Sequence, residues 1–132
     1  MFNISIIGLG YVGLPLAVEL SKFYNVTGYD INKNRIKKLK NGIDTNNDVI
    51  FSLKKKSNLK FTSNLNNLKA SDTYIITVPS PILKNNKPNL FFLKKAFYDV
   101  SKLLTKGDLI ILESTVYPGL TEDLANYFFT EK

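Results

Sequence analysis

Short apolar runs alternate with longer amphipathic ones along this chain. Residues 3–7 (Asn-Ile-Ser-Ile-Ile) are brief and mostly apolar and predict a buried strand. Over residues 10–23 the apolar positions Val12, Leu16, Leu20 and Phe23 recur at helical spacing, so a helix is expected there with that face turned inward. Pro15 fits only near its start, where backbone N–H groups lack intrahelical partners. Residues 25–29 (Asn-Val-Thr-Gly-Tyr) predict a second strand running into Asp30. Asn32 suits the cap of a helix over 33–41, with Ile36 and Leu39 inward and Gly42 as its stop.

The middle of the chain is more polar. Residues 43–58 are expected as a lysine-rich loop with a short helix, followed by a third strand at 59–62. Residues 73–78 (Thr-Tyr-Ile-Ile-Thr-Val) predict a buried strand halted by Pro79-Ser80-Pro81, and 84–89 an exposed loop. A helix over 90–104 carries Leu93, Ala96, Phe97, Val100 and Leu104 at helical spacing. Lys106-Gly107-Asp108 turns into a fifth strand at 109–112, and Pro118-Gly119 precedes a helix over 121–129. With 132 residues, no repeat and no linker, one domain is expected. Strands alternating with helices imply α/β architecture: a parallel sheet with helices on both faces. Right-handed crossovers then give a three-layer, doubly wound Rossmann arrangement with strand order 3-2-1-4-5. The sixth strand of the full arrangement is expected after residue 132, so the sheet is read as truncated.

Composition narrows the chemistry. There is no cysteine and no histidine, which removes disulfides, thiolate chemistry and the commonest metal ligand; no metal site is expected. The net charge of +7 comes from scattered lysines, Arg35 being the only arginine. Scattered lysines describe a solvated surface, so no nucleic-acid partner is expected. No apolar run approaches the ~18 residues of a membrane span, and the N-terminus lacks a basic leader, so a cytoplasmic protein without a membrane partner is expected.

In a sheet of this kind ligands bind beyond the carboxyl ends of the strands. Five groups of residues fall there. Gly8-Leu9-Gly10-Tyr11-Val12-Gly13 joins the first strand to the first helix. Gly8 permits a tight turn, Gly10 a close approach of backbone to pyrophosphate, and Gly13 close packing of helix on strand; the N–H groups of Tyr11 and Val12 face the anion. A packing turn without ligand is the alternative. Asp30, twenty residues after Gly10, suits the ribose hydroxyls of NAD and repels a 2′-phosphate; alternatively it caps the next helix. Arg35 can stack on adenine or touch the ribose edge, which would also raise tolerance of NADP, or be a surface residue. Val78, Pro79 and Ser80 form a rigid corner that walls the adenosine or simply ends a strand. Ser114 and Thr115 lie where a nicotinamide would sit, or cap a helix.

Four segments together, "IIGLGYVGLPLA", "GYDINKNRI", "YIITVPSPI" and "ESTVYPGLTE", resemble the NAD-binding N-terminal domain of the UDP-glucose/GDP-mannose dehydrogenase family, in its order and spacing and over nearly the whole chain. "ESTVYPG" is most similar to the nucleotide-linked acetamido-sugar 6-dehydrogenases of surface polysaccharide synthesis, and "VPSP" departs from the more usual Val-Pro-Thr-Pro while keeping the hydroxyl. The resemblance implies oxidation of the C6 alcohol of a UDP-sugar, expected to be a UDP-N-acetylhexosamine, to a carboxylate, with two NAD reduced per sugar. It implies cofactor contacts at Gly8, Gly10, Val12, Gly13, Asp30, Arg35 and Ser80. It also implies that Thr115 is the catalytic-site threonine, positioning a water near the nicotinamide. The family's second step passes through a thioester on a cysteine, which this chain lacks. The dimerising helix and the sugar-nucleotide domain of such an enzyme are expected outside residues 1–132, the intact enzyme is expected to be a homodimer or larger, and the fragment alone is expected to be inactive. Two other readings stay open: another NAD-dependent Rossmann dehydrogenase, against which Pro118-Gly119 after Ser114-Thr115 argues, and a non-catalytic nucleotide-binding module.

Overall fold

In the computed structural model, residues 2–46 and 58–129 are described. Five strands form one parallel sheet: β1 (Asn3–Ile7), β2 (Asn25–Tyr29), β3 (Leu59–Thr62), β4 (Thr73–Ile76) and β5 (Leu109–Leu112), in the order β3-β2-β1-β4-β5. The register runs Ile4 beside Val26 and Thr73, and Ile7 beside Tyr29 and Ile76, so the carboxyl ends of the three central strands finish level. Among the described residues four α-helices pack on the sheet: α1 (Gly13–Leu20), α2 (Lys33–Lys40), α3 (Phe91–Ser101) and α4 (Leu120–Phe129).

Strand residues alternate in direction, and that alternation builds two cores. Ile4, Ile6, Val26, Phe61 and Ile75 pack with Leu14 and Ala17 of α1 and with Ile36 and Leu39 of α2. Ile7, Tyr29, Tyr74 and Ile76 point the other way and pack with Leu93, Phe97 and Val100 of α3 and with Leu120 and Leu124 of α4. The helices therefore divide two and two between the faces, which is the doubly wound, three-layer arrangement expected from the strand-helix alternation. Within β1 Ser5 is fully buried and shares a hydrogen bond with Ser71 at 2.6 Å. At the edges β3 exposes Lys60, a charge that discourages further pairing, while β5 is apolar throughout and only half-buried.

Several boundaries differ from the sequence expectation. The first helix begins at Gly13 instead of residue 10, because residues 8–12 form a turn; Phe23 lies beyond the helix and is exposed, and Val12 is also exposed. Pro15 then occupies the third helical position, within the first turn, where it breaks no bond. Strand β4 ends at Ile76, two residues early, and α3 spans Phe91–Ser101 in place of 90–104. Residues 65–68 form a 3-10 turn that the apolar pattern did not signal. The loop at 84–89 folds back on itself through a bridge between Ile82 and Pro88, with Asn86 in the left-handed region. The short helix expected within 43–58 falls largely outside the described residues.

Candidate functional site: a cleft at the carboxyl ends of the strands

The turn after β1 is held from below and from both sides. Gly8 has a φ of +97°, a conformation that favours glycine, and its N–H donates to the Tyr29 carbonyl at 2.9 Å. Leu9 sends its side chain into the core, where it is fully buried against Gly28. A Cβ on Gly28 would stand 2.9 Å from the Leu9 side chain and 3.0 Å from Phe61, so this glycine in β2 makes the room that Leu9 fills. The Leu9 N–H donates to Asp30 Oδ2 at 3.0 Å, and its carbonyl accepts from Arg35 Nε at 2.5 Å. Both backbone polar groups of one loop residue, Leu9, are thus fixed by side chains that follow β2.

Gly13 and Gly10 differ sharply. A Cβ on Gly13 would lie 1.9 Å from the Gly8 carbonyl oxygen and 2.4 Å from Thr77 Oγ1, so only glycine lets α1 approach β1 this closely. Gly10 has nothing within 4 Å of its Cβ position. Its bare Cα faces open space beside the start of α1, where the backbone N–H groups of Tyr11 and Val12 precede the first helical bonds. A helix start with an uncovered glycine beside it is a shape that fits a phosphate.

Asp30 sits at the end of β2. Besides Leu9, its carboxylate accepts the Asn32 N–H at 2.8 Å through Oδ1. The helix cap itself is Asn32, whose side-chain oxygen accepts from Asn34 and Arg35 N–H, so Asp30 does not cap α2. Each Asp30 oxygen keeps a further lone pair. Arg35 is not a surface residue. Its guanidinium bridges the Leu9 carbonyl, Asp44 Oδ1 at 3.2 Å and Thr45 at 3.4 Å, with side-chain exposures of 11% for Arg35 and 2% for Asp44.

These residues border a cleft of about 270 Å3. Of the residues singled out from sequence, it gathers Gly8, Gly10, Asp30, Arg35, Val78 and Pro79. Tyr11, Val12 and Gly13 lie outside its lining. Ser80, Ser114 and Thr115 form a second group, where β4 and β5 end. Ser80 Oγ donates to the Thr115 carbonyl at 2.7 Å, and Ser114 Oγ donates to the Val78 carbonyl at 2.6 Å. The two hydroxyls therefore lace the two strand-end loops together, and neither serves as a helix cap. Thr115 is exposed at this end. A larger concavity of about 820 Å3 flanks β3, away from the glycine-rich turn.

Several site residues carry no motif signature. Thr77 Oγ1 donates to the Gly8 carbonyl at 2.6 Å, with the Ile7 carbonyl at 3.1 Å, and so closes the turn from the β4 side. Its signal was a polar residue inside the apolar run at 73–78 that predicts the fourth strand. On the far wall Lys95 and Asp99 of α3 face the cleft. Tyr29 lies nearby, and burial, then Asp99, pushes its phenol above the ordinary tyrosine range, with Lys95 acting in the opposite sense. Among the described residues no group of three acidic or metal-ligating side chains converges.

The family model for the UDP-glucose/GDP-mannose dehydrogenase family, NAD binding domain, matches residues 2–132. The chain belongs to this family. The doubly wound sheet with its glycine turn and Asp30 is thus the family's NAD-binding domain. Protein CapL from Staphylococcus aureus is 50% identical over 121 residues, covering 92% of this chain and 28% of that protein. UDP-N-acetyl-D-glucosamine 6-dehydrogenase from Salmonella typhi is 51% identical over 122 residues, covering 92% of this chain and 29% of the relative. Among solved structures, the UDP-D-ManNAc dehydrogenase of Pyrococcus horikoshii superposes with a TM-score of 0.85 at 34% identity, over 96% of this chain and 32% of that one. The chain spans under a third of the length of these relatives. Among the described residues no helix is long and apolar enough to cross a membrane.

Proposed function

We propose that this chain binds NAD for a nucleotide-sugar 6-dehydrogenase that oxidises the C6 alcohol of a UDP-N-acetylhexosamine to a uronate. The observation that carries the cofactor site is the juxtaposition of Gly10, open on its Cα side, with the Asp30 carboxylate in one cleft. The sugar class rests on the names of the relatives.

In this assignment the N–H groups of Tyr11 and Val12 receive the pyrophosphate, and Gly10 lets it approach the backbone. Gly8 and Gly13 shape the turn. Asp30 accepts the ribose hydroxyls with its remaining lone pairs, and its charge repels a 2′-phosphate. Arg35 holds the Leu9 carbonyl and Asp44, so its cation supports the turn and is not free to attract that phosphate. Val78 and Pro79 wall the adenosine. Ser80 and Ser114 hold the strand-end loops, presenting Thr115 toward the reacting end, where it orients water. Bound there, NAD supplies the hydride acceptor for each oxidation of the sugar carbon. With no cysteine in the chain, the family's thioester forms on residues outside it, and residues 1–132 alone bind cofactor without oxidising sugar. The dimerising helix and sugar domain likewise belong outside these residues, in a homodimer or larger assembly in the cytoplasm.

The test is calorimetric titration of the chain with NAD and NADP. NAD is expected to bind with at least about a ten-fold preference, since a carboxylate facing a phosphate is strongly unfavourable. Absence of NAD binding at millimolar concentration, under conditions where a full-length relative binds it, overturns the cofactor assignment.

A further inference from the structure

One wall of the cleft carries an ion pair to which the proposed function assigns no role. Lys95 and Asp99 lie one turn apart on α3, and Lys95 Nζ donates to both carboxylate oxygens, at 2.8 and 2.6 Å. The lysine side chain is half-exposed, whereas the Asp99 side chain is only 9% exposed. An exposed pair at this spacing is ordinary surface decoration. A carboxylate buried against a ligand cleft is not, because its charge must be compensated there. Lys95 compensates it, yet each carboxylate oxygen accepts more than one hydrogen bond, so acceptor capacity remains toward the cleft.

The surroundings specify what such an acceptor meets. Ile31, Val78 and Phe92 line the same cleft and offer apolar surface, while Asp30 marks the ribose end. Tyr29, Asp30, Lys95 and Asp99 all line this cleft, and burial, then the Asp99 charge, holds the Tyr29 phenol above its ordinary range. A flat aromatic base suits the apolar walls, and its edge then faces a fixed anion. An anion accepts and cannot donate. The 6-amino group of adenine donates to it, whereas a 6-oxo group sets lone pair against lone pair; two of the three lysine protons are already given to the carboxylate.

We propose that the Lys95–Asp99 pair is the base-selecting edge of this cleft, with Asp99 accepting the 6-amino group of adenine so that a 6-aminopurine dinucleotide is preferred over its 6-oxopurine counterpart. The proposal rests on the NAD assignment above.

The experiment compares NAD with nicotinamide hypoxanthine dinucleotide by calorimetry on the wild-type chain, on Asp99→Asn and on Lys95→Gln, with thermal melts of each. The wild type is expected to favour NAD about ten-fold, the size of one charge-assisted hydrogen bond. Asp99→Asn, whose amide both donates and accepts, is expected to bind the two within about two-fold. Lys95→Gln leaves the carboxylate in place and is expected to keep the preference. Equal binding by the wild type, a preference kept by Asp99→Asn, or a preference lost only in Lys95→Gln overturns the assignment to Asp99. The wild-type comparison stands even where a variant fails to fold. No binding of either dinucleotide by the wild type overturns the NAD assignment itself, whereas equal binding overturns base selection alone.

Discussion

The three glycines of the turn make a contrast that one pair of alanine substitutions can separate. At Gly13 a methyl carbon would stand 1.9 Å from the Gly8 carbonyl oxygen. Comfortable carbon contacts lie near 3.5 Å, so the start of α1 has to withdraw by roughly 1.5 Å. The Thr77 hydroxyl donates to that same carbonyl and would itself be 2.4 Å from the new carbon, so the withdrawal also disturbs the bond that closes the turn. Overpacking of this kind costs about 3 kcal/mol, and loss of the hydrogen bond about 1 more. For a domain of this size, Gly13→Ala should therefore lower the melting temperature by roughly 15 °C. At Gly10 the added carbon meets nothing within 4 Å, and its φ lies outside the left-handed region. Gly10→Ala should keep or slightly raise the melting temperature, because alanine restricts the unfolded chain by about 0.4–1 kcal/mol more than glycine. Its effect belongs to the cofactor: the methyl occupies the space through which a pyrophosphate approaches, and NAD affinity should fall at least about ten-fold. Differential scanning calorimetry and NAD titration on both variants read the two effects separately. A Gly13→Ala protein that melts like the wild type would refute the close helix approach. A Gly10→Ala protein that binds NAD normally would refute the pyrophosphate cradle.

Arg35→Met should destabilise the fold by about 1–3 kcal/mol in urea titration, since it takes the guanidinium from the buried Asp44 carboxylate and the donor from the Leu9 carbonyl; Arg35→Lys should recover only part, because one ammonium cannot span both Leu9 and Asp44. Ser80→Ala and Ser114→Ala should each cost about 1 kcal/mol in the same assay, as each leaves a carbonyl without its donor. Tyr74 is fully buried, donates to the Leu68 carbonyl, and has its phenol pushed up to about 12 by burial. A raised folded value means stability is complete below the unfolded value near 10 and is lost as pH rises toward 12, so melting temperatures should fall across that window, and less steeply in Tyr74→Phe.

The strands were legible because β1 and β4 are short, mostly apolar runs and β2 sets Val26 and Tyr29 between turn formers, and the alternation of Ile4 and Ile6 against Ile7 already separates the two faces. The helix start was misjudged for a specific reason. Helical spacing of Val12 with Leu16 extends the periodic pattern backward, but close contact between Gly13 and Gly8 forces residues 8–12 into a turn. That contact lies in space and leaves no periodic trace. The same holds for Phe23, which continues the spacing after the helix has ended at Leu20.

Within the site, glycine positions and Asp30 were readable because backbone conformation and spacing alone nominate them. The roles of Arg35, Ser80 and Ser114 were not. Each bonds to a carbonyl 26 or more residues away, and no local rule points to that acceptor. Arg35 carried one usable signal, as the only arginine in a lysine-rich chain: a forked guanidinium reaches several acceptors at once where an ammonium does not. Gly28 carried another, since glycine inside a strand often marks a close neighbour, here the buried Leu9.

The hydrogen bonds also divide the cleft unequally, and that division predicts how the chain should bind pieces of the cofactor. Around the turn, Gly8 is tied to Tyr29 and Thr77, and Leu9 to Asp30, Arg35 and the core beneath Gly28. The end proposed for adenosine and pyrophosphate is therefore ordered before any ligand arrives, and binding there would carry little further ordering cost. The end proposed for nicotinamide consists of two loops joined by the Ser80 and Ser114 hydroxyls, with Thr115 exposed, and no other described element closes over it. Most of the affinity of the isolated chain should come from the ordered end. ADP-ribose should bind within about three-fold of NAD, because the nicotinamide finds few groups to desolvate against. A full-length relative, with two further thirds of polypeptide, should separate the two ligands more widely. If the chain alone bound NAD more than about ten-fold tighter than ADP-ribose, the nicotinamide would be gripped by residues 1–132 themselves, and Ser80, Ser114 and Thr115 would have to contact it directly instead of serving as a loop brace.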